Sequence, residues 1–276
     1  MIKAPRKAGV MGWPVAHSRS PALHGFWLRK YGIDGSYERL PVQPEDLPKA
    51  LRDLAAQGFA GVNLTVPHKE IAMGVVDSLS DVGRRVGAVN TIFVGTDGKL
   101  SATNTDAYGF ITSLRAGAPA WRADAGPAVV LGAGGAARAV IAALQEARVP
   151  EIRILNRTLE RAEGLAREFA SHAVAWDKRA DVLADANLLV NTTTLGMKGQ
   201  VSLAIDLARL PAAAVVNDIV YVPLETDLLR DARTRGNVVV DGLGMLLYQA
   251  QAGFEGWFGR KPDVTQELRD HVLAAG

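Results

Sequence analysis

The chain has 276 residues, 48% hydrophobic and 22% charged, which is enough for two ordinary globular domains. It contains no cysteine, which excludes thiol catalysis and cysteine-ligated zinc, and no metal site is expected. Its 31 basic and 29 acidic residues give a net charge of +2 without runs of like charge, so we expect no nucleic-acid partner and no membrane surface. Neither a signal peptide nor an apolar membrane span is predicted, and a soluble cytoplasmic protein is expected.

Short apolar runs alternate with helical patterns over the first hundred residues. The predicted strands are Ala8–Met11, Tyr37–Pro41, Gly61–Thr65 and Asn90–Val94. The predicted helices are Pro21–Tyr31, Pro44–Gln57 and Pro67–Val76, with Ser20 as the cap of the first. Such an alternation predicts a mostly parallel sheet.

The stretch 116–127, which is rich in glycine and proline, predicts the approach to a second domain. Beyond it, continuous apolar runs are typical of strands buried on both faces of a parallel sheet. The predicted strands are Ala128–Leu131, Ile152–Leu155, Leu188–Val190, Ala214–Val216 and Val238–Val240. The predicted helices are Ala136–Ala147, Leu159–Phe169, Met245–Trp257 and Val264–Ala274. Spacing alone leaves open whether the last two pack on the first domain.

A glycine-rich turn, Leu131-Gly132-Ala133-Gly134-Gly135-Ala136-Ala137, lies between a predicted buried strand and a predicted helix. In this context the first glycine permits a tight turn and the second lets backbone N–H groups approach a pyrophosphate, whose charge the helix N-terminus stabilises. The turn therefore predicts a dinucleotide site, in preference to a plain glycine-rich connection.

The end of the next strand indicates which dinucleotide binds. An NAD site usually has an acidic residue about 20 residues after the turn, where it binds the ribose 2′-hydroxyl. Here Asn156 and Arg157 occupy that region, and Arg161 follows four residues later. Two guanidinium groups suit a 2′-phosphate, so NADP is favoured over NAD. The alternative is that both arginines are solvated surface residues.

Lys69 and Asp106 are candidate acid–base residues. Lys69 lies in the first turn of a predicted helix, where the helix dipole disfavours a cation, and Asp106 precedes the predicted helix Ala107–Arg115. A lysine beside a carboxylate can exchange a proton with a hydroxyl or ketone oxygen while a hydride moves at carbon. Each residue also has an ordinary explanation, because Lys69 suits a solvated surface and Asp106 suits a helix cap.

Ser18 and Ser20 lie just before the first predicted helix. Two hydroxyls beside a helix N-terminus suit a carboxylate ligand. Helix capping by Ser20 would explain one of the two serines but not both.

These motifs, with several others, resemble the shikimate dehydrogenase family, whose members reduce 3-dehydroshikimate to shikimate with NADPH. The matches follow the family's order over nearly the whole chain. They are Ser-Arg-Ser-Pro at 18–21, Asn-Leu-Thr-Val-Pro-His-Lys at 63–69, Gly-Ala-Val-Asn-Thr at 87–91, Asn-Thr-Asp at 104–106, Gly-Ala-Gly-Gly-Ala-Ala-Arg at 132–138, Asn-Arg-Thr at 156–158, Asp-Ile-Val-Tyr at 218–221 and Asp-Gly-Leu-Gly-Met at 241–245.

The resemblance implies a two-domain α/β fold. A substrate-binding catalytic domain would comprise 1–106 plus 243–276, with the C-terminal helices packed back on it, and a Rossmann-type NADP-binding domain would comprise 107–242. Lys69 and Asp106 would be the catalytic pair. The implied substrate-binding residues are Ser18, Ser20, Thr65, Asn90, Tyr221 and Gln249. The implied NADP(H)-binding residues are Gly132, Ala133, Gly134, Gly135, Ala136, Asn156, Arg157, Thr158, Arg161, Ile219 and Gly242.

The resemblance also implies a place in chorismate and aromatic amino acid biosynthesis, and it is compatible with a homodimer. Two alternatives stay open: a quinate/shikimate dehydrogenase of broader specificity, and an NADP-binding sensor without catalysis. One departure from the family pattern is Ala107, where glycine is usual; a backbone with positive φ there would disfavour alanine. His17, His24 and His68 are interpreted as structural or surface residues.

Overall fold

The structure is a computed structural model that describes residues 6–275. The chain forms two compact α/β units, each with one six-stranded sheet. Within the described residues, unit 1 runs to Asp106 and resumes at Leu246, whereas unit 2 comprises Ala107–Met245. No helix in residues 6–275 has the length and apolar character needed to cross a membrane.

Over residues 6–105, unit 1 contains six strands and four helices. The strands are β1 (Arg6–Gly12), β2 (Gly35–Pro41), β3 (Phe59–Leu64), β4 (Ser78–Leu79), β5 (Thr91–Val94) and β6 (Leu100–Thr103). The helices are α1 (Ser20–Lys30), α2 (Leu47–Arg52), α3 (His68–Ile71) and α4 (Asp81–Val86). A fifth helix, α5 (Asp106–Gly117), leads into unit 2.

The sheet of unit 1 is mixed, with the order β2-β1-β3-β5-β6-β4. β1 is parallel to β2 and β3, and β4 is parallel to β6, but β5 is antiparallel to both β3 and β6. The prediction of a mostly parallel sheet is therefore confirmed for five of the six strands and fails only for β5, which runs the other way. The physical reason is that β5 and β6 are joined by only a short turn containing Gly98 at φ +78°, which reverses the chain, whereas a parallel connection needs a long crossover.

Two predicted helices of unit 1 are shorter than the sequence pattern indicates. The pattern over Pro44–Gln57 forms a 3₁₀ turn, Pro44–Asp46, followed by α2, and the pattern over Pro67–Val76 forms α3 and a 3₁₀ turn, Ala72–Gly74. In the second case the 3₁₀ turn ends at Gly74 and two β-branched valines, Val75 and Val76, follow directly, and these residue types disfavour further helix.

The C-terminal helices complete unit 1, which confirms that they pack back on the first domain. They are α9 (Leu243–Phe258), whose residues from Leu246 onward belong to unit 1, and α10 (Gln266–Ala274). Trp257 is fully buried and donates its indole N–H to the Ile92 carbonyl at 2.9 Å. Lys30 on α1 forms a 2.7 Å ion pair with Glu267 on α10.

Unit 2 is a parallel doubly wound sheet of the Rossmann type, which confirms that prediction. Its strands are β7 (Ala128–Leu131), β8 (Ile152–Asn156), β9 (His172–Ala175), β10 (Leu188–Asn191), β11 (Val215–Asp218) and β12 (Val238–Val240), in the order β12-β11-β10-β7-β8-β9. Its further helices are α6 (Gly135–Glu146), α7 (Leu159–Glu168) and α8 (Asp227–Thr234). Because all strands run the same way, the loops after β7, β8, β10, β11 and β12 leave the sheet at one edge, where ligands bind in such folds.

Candidate active site

Lys69 and Asp106 form a close ion pair in unit 1. The ammonium of Lys69 donates to Asp106 Oδ2 at 2.6 Å, although the residues are 37 positions apart in sequence. Both side chains are largely withdrawn from water, with 16% and 7% of their surfaces exposed. A charge-assisted hydrogen bond of this length in a poorly hydrated site holds both groups in a defined geometry.

Backbone contacts of α3 position Lys69. Its carbonyl accepts the N–H of Val89 at 2.8 Å, which ties the first turn of α3 to the segment before β5. The preceding residue, His68, is buried, and its Nε2 donates to the Val42 carbonyl at 2.9 Å. Burial lowers the pKa of His68, which favours the neutral ring, and the bond to Val42 opposes this shift. His68 is therefore structural, consistent with the sequence interpretation.

Asp106 is the first residue of α5, and its backbone nitrogen and both carboxylate oxygens take part in hydrogen bonds. Its backbone N–H donates to Asn104 Oδ1 at 3.0 Å, and the amide of Asn104 donates to the Ala88 carbonyl at 3.0 Å. Its second carboxylate oxygen accepts from Asn90 Nδ2 at 2.9 Å. Ala107 follows within the regular helix and has no positive φ, so alanine in place of the family's usual glycine causes no backbone strain.

Asn90 is the central polar residue of this network and is almost fully buried. Its Nδ2 donates both to Asp106 and, at 3.2 Å, to Gln249 Oε1 on α9. Its Oδ1 accepts from the Thr105 N–H at 2.8 Å and from the Thr91 hydroxyl at 3.1 Å. Every polar atom of the amide is engaged, which fixes its orientation. The structure thus brings four of the predicted site residues together: Lys69, Asp106, Asn90 and Gln249.

Ser18 and Ser20 lie at the start of α1, but Ser20 does not cap that helix as predicted. α1 begins at Ser20 itself, after Arg19, and no side chain caps it. The Ser18 hydroxyl accepts from the Ser20 N–H at 3.3 Å, and the guanidinium of Arg39 donates to the Ser18 carbonyl at 2.7 and 3.1 Å. The prediction failed because Arg19 takes helical dihedral angles, so the helix starts one residue earlier than Pro21 indicates.

The remaining predicted substrate residues are Thr65 and Tyr221. Thr65 lies in unit 1 just after β3, partly buried, and its N–H donates to the Met11 carbonyl at 2.9 Å. Tyr221 lies in unit 2, three residues after β11, and is also partly buried.

The glycine-rich turn of unit 2 follows β7 as predicted. Gly132 has φ +111°, and a Cβ atom there would lie 2.5 Å from Thr192 Oγ1, so both conformation and space require glycine. Gly134 precedes α6, no side chain caps that helix, and a Cβ at Gly134 would meet nothing within 4 Å. An uncapped helix N-terminus facing open space fits a dinucleotide pyrophosphate. Ala133, Gly135 and Ala136 complete the turn.

The region after β8 carries the predicted 2′-phosphate residues. Asn156 ends β8, and its amide donates to the Thr158 carbonyl at 2.9 Å, which shapes the turn into α7. Arg157 and Arg161 are exposed, and neither guanidinium has a hydrogen-bond partner among residues 6–275. Two free cations at this corner of the sheet fit a phosphate dianion.

Ile219 directly follows β11, and Gly242 lies two residues after β12. The Ile219 N–H donates to the Asn191 carbonyl at 3.1 Å. A Cβ at Gly242 would overlap the Ile219 carbonyl, so only glycine allows the two loops to approach this closely.

Asp218, at the end of β11, holds these loops; it opens the Asp-Ile-Val-Tyr motif, but the sequence assigned it no role of its own. Its Oδ1 accepts from Asn191 Nδ2 and from the Val220 N–H, both at 3.0 Å, and its Oδ2 accepts from the Thr226 hydroxyl at 2.7 Å. Burial raises the pKa of Asp218 to about 6, although these hydrogen bonds oppose the shift. The available sequence signal was an acidic residue two positions after the predicted apolar strand Ala214–Val216.

A parallel sheet with an uncapped helix after a glycine turn defines unit 2 as a dinucleotide-binding unit of the oxidoreductase type. Three family profiles match the chain: "Shikimate dehydrogenase substrate binding domain" at residues 10–92, "Shikimate / quinate 5-dehydrogenase" at residues 121–220, and "Shikimate 5'-dehydrogenase C-terminal domain" at residues 242–272.

Full-length relatives agree with these matches. The shikimate dehydrogenase (NADP(+)) of Paramagnetospirillum magneticum is 60% identical over 271 residues, which is 98% of each chain. A Thermus thermophilus shikimate 5-dehydrogenase, solved with NADP(H) and shikimate, is 41% identical with a TM-score of 0.88, over 98% of this chain and 100% of that one. A Corynebacterium glutamicum quinate dehydrogenase, solved with NAD, is 31% identical with a TM-score of 0.90, over 98% and 99%. The chain therefore belongs to the shikimate dehydrogenase family.

Proposed function

We propose that this protein catalyses the reversible NADPH-dependent reduction of 3-dehydroshikimate to shikimate. The observation that carries the proposal is the buried Lys69–Asp106 pair, held at 2.6 Å by a network of amides and hydroxyls. Full-length similarity to a named shikimate dehydrogenase (NADP(+)) supports the choice of substrate and cofactor.

The proposed role of the pair is proton transfer at the oxygen of the reacting carbon. Bound NADP(H) supplies or accepts the hydride. In reduction, the Lys69–Asp106 pair delivers a proton to the carbonyl oxygen, and in oxidation it takes the proton of the hydroxyl. Asn90, which donates to the second oxygen of Asp106, keeps that carboxylate turned toward Lys69.

Unit 1 is the proposed substrate domain. Ser18 and Ser20 would bind the carboxylate at the uncapped start of α1, where backbone N–H groups favour an anion. The residues proposed to hold the ring hydroxyls or the carboxylate are Thr65, Asn90, Tyr221 and Gln249, of which Tyr221 is itself a residue of unit 2.

Unit 2 is the proposed NADP domain. Its turn, residues 132–136, would bind the pyrophosphate through backbone N–H groups, and Ile219 and Gly242 would lie beside the nicotinamide half. Asn156, Arg157, Thr158 and Arg161 would bind the adenosine 2′-phosphate, because two exposed guanidiniums lie there without a partner among residues 6–275.

Replacement of Lys69 tests the proposed chemistry. Lys69→Ala removes the group that exchanges the proton with the substrate oxygen, so we expect kcat for shikimate oxidation to fall by about 10² or more. The matched control is Lys49→Ala on α2, whose side chain is 84% exposed and pairs with Asp53, and its kcat should equal that of the wild type. A Lys69→Ala enzyme with wild-type kcat would contradict the proposal.

A quinate/shikimate dehydrogenase of broader specificity is the second candidate. The similarity to a quinate dehydrogenase over nearly the full length supports this second candidate. Quinate carries one more hydroxyl than shikimate, and small changes in a pocket decide whether a hydroxyl is accepted. A comparison of kcat/KM for the two acids therefore decides between the two candidates.

A cytoplasmic location and assembly as a homodimer stay predictions from the sequence. Light scattering of the purified protein tests the homodimer.

A further inference from the structure

The peptide unit that enters the glycine-rich turn of unit 2 is held from both sides of the sheet. β7 lies between β8 and β10, and its last paired residue, Leu131, lies opposite Leu155 on one side and Asn191 on the other. The Gly132 N–H donates to the Leu155 carbonyl at 2.7 Å. At the other end of the same peptide unit, the Leu131 carbonyl accepts the Thr192 N–H at 2.8 Å. Both neighbouring strands therefore fix one peptide plane.

The Thr192 side chain adds a second donor to the same carbonyl. Its hydroxyl donates to the Leu131 oxygen at 2.7 Å. The backbone N–H of Thr192 already satisfies that oxygen, so the hydroxyl is not needed to avoid an unpaired buried group. A carbonyl oxygen accepts at two lone pairs, and two donors restrict rotation of the peptide plane more than one donor does.

The Thr192 hydroxyl packs directly on the backbone of the turn. A Cβ atom at Gly132 would lie 2.5 Å from Thr192 Oγ1 and 3.2 Å from Thr193 Cγ2, so the hydroxyl has room only because residue 132 is a glycine. Gly132 has φ +111°, and the chain turns there from β7 toward α6. A rotation of the peptide before Gly132 would therefore redirect the N–H groups of the turn.

The loop that carries Thr192 is itself firmly held. The buried Asn191 accepts at Oδ1 from the Thr193 N–H at 3.0 Å and from the Thr193 hydroxyl at 2.7 Å. Its Nδ2 donates to the Leu195 carbonyl at 3.2 Å and to Asp218 Oδ1 at 3.0 Å. These bonds fold the loop on itself and tie it to the end of β11, so Thr192 contacts the turn from a rigid support.

We propose that Thr192 is a positioning residue whose hydroxyl sets the orientation of the pyrophosphate-binding turn. This inference rests on the proposed function, in which backbone N–H groups of residues 132–136 bind the pyrophosphate of NADP(H). Donors that are ordered before the ligand binds lose less freedom on binding, so affinity depends on how firmly the turn is held. Loss of the hydroxyl should weaken NADPH and NADH equally, because both dinucleotides contain the same pyrophosphate.

Thr192→Ala and Thr192→Ser test the proposal, with Kd for NADPH and for NADH measured by isothermal titration calorimetry. Alanine removes the hydroxyl without placing a new atom against Gly132, and we expect both Kd values to rise by about 3–10-fold, the effect of one lost hydrogen bond. Serine keeps the hydroxyl and loses only the methyl group, so both Kd values should stay within about 2-fold of the wild type. KM for shikimate should be unchanged in both variants.

The control is Thr234→Ala at the last residue of α8. The exposed Thr234 hydroxyl also donates to a backbone carbonyl, that of Arg230, at 2.9 Å. Because α8 leads into the parallel strand β12, it ends at the edge of the sheet opposite the glycine-rich turn. Both Kd values should therefore equal those of the wild type.

Three results would overturn the role of Thr192. They are a Kd for NADPH in Thr192→Ala within about 2-fold of the wild type, a serine variant as weak as the alanine variant, and unequal losses for NADPH and NADH, which would place the effect at the adenosine end. A wild-type protein that binds NADPH but does not oxidise shikimate would instead overturn the proposed function, and the Kd series would still decide the role of Thr192.

Discussion

His24 lies in a site made of aromatic rings, where neither of its ring nitrogens has a hydrogen-bond partner among residues 6–275. Tyr37 stacks on it, and Trp27 meets it edge-on with centroids 5.7 Å apart. Burial lowers the pKa of His24 to about 3, because the charged ring would lose its hydration without compensation. The residue is a neutral packing element, in agreement with its structural interpretation from the sequence.

This burial predicts how stability depends on pH. The pKa of His24 is about 3 in the folded state and 6.5 for an exposed histidine ring, so below pH 6.5 the unfolded chain binds a proton that the folded chain does not. Stability should therefore fall as the pH drops from 6.5 toward 3, by about 1.4 kcal/mol per pH unit from this residue.

Urea unfolding at pH 7.5 and pH 5.0 measures the effect. His24→Phe should reduce the stability difference between the two pH values by about 2 kcal/mol, whatever its packing cost, because that cost is the same at both. His17→Gln, at an exposed position, is the control and should leave the difference unchanged. An equal pH dependence in His24→Phe and wild type would show that His24 is not the buried group responsible.

At the level of elements, we propose that the corner between β8 and α7 selects the cofactor. β8 ends at Asn156 and α7 begins at Leu159, so Arg157 and Arg161 lie on either side of the start of one helix. Two cations at a helix N-terminus oppose the helix dipole, and a bound phosphate would remove that cost.

Arg157→Ala should therefore affect the two dinucleotides differently. We expect kcat/KM for NADP⁺ to fall by about 10–100-fold, the effect of one lost charge-assisted contact, and kcat/KM for NAD⁺ to change by less than about 3-fold. Arg167→Ala, exposed near the other end of α7, is the matched control. An equal loss of kcat/KM with both dinucleotides would contradict the assignment of Arg157 to the 2′-phosphate.

Strands whose residues are nearly all buried were predictable from the sequence. Five strands of unit 2 lie within a residue or two of the predicted apolar runs, because most of their residues are buried on both faces of the sheet. The two-residue β4 and the strand β6 were missed, since their short runs, such as Leu100–Thr103 with alternating burial, carry little pattern. The antiparallel pairing of β5 followed from neither periodicity nor composition.

At the scale of the whole molecule, unit 1 is built from two segments separated by all of unit 2. The buried Trp257 from the second segment bonds to Ile92 of the first, and Gln249 from the same helix contacts Asn90. Gln249, which belongs to the network beside Asp106, therefore comes from a segment that follows unit 2 in the sequence.

This arrangement explains which parts of the site the sequence could predict. Motif resemblance identified Lys69 and Asp106 as a pair, and the structure places them in contact. Their supports, such as Asn63 and Thr91, were not assigned roles because their pairing depends on strand register: Asn63 on β3 lies opposite Thr91 on β5. Register is a long-range property that local patterns do not encode.

One turnover assay measures both the substrate and the cofactor preference of this protein. Purified protein is given shikimate or quinate with NADP⁺ or NAD⁺, and kcat/KM is measured for all four combinations. We expect the highest value for shikimate with NADP⁺, at least about 10-fold above each of the other three. Tight NADPH binding without turnover of either acid would contradict it and favour a sensor, and a value for quinate equal to that for shikimate would favour the broader dehydrogenase.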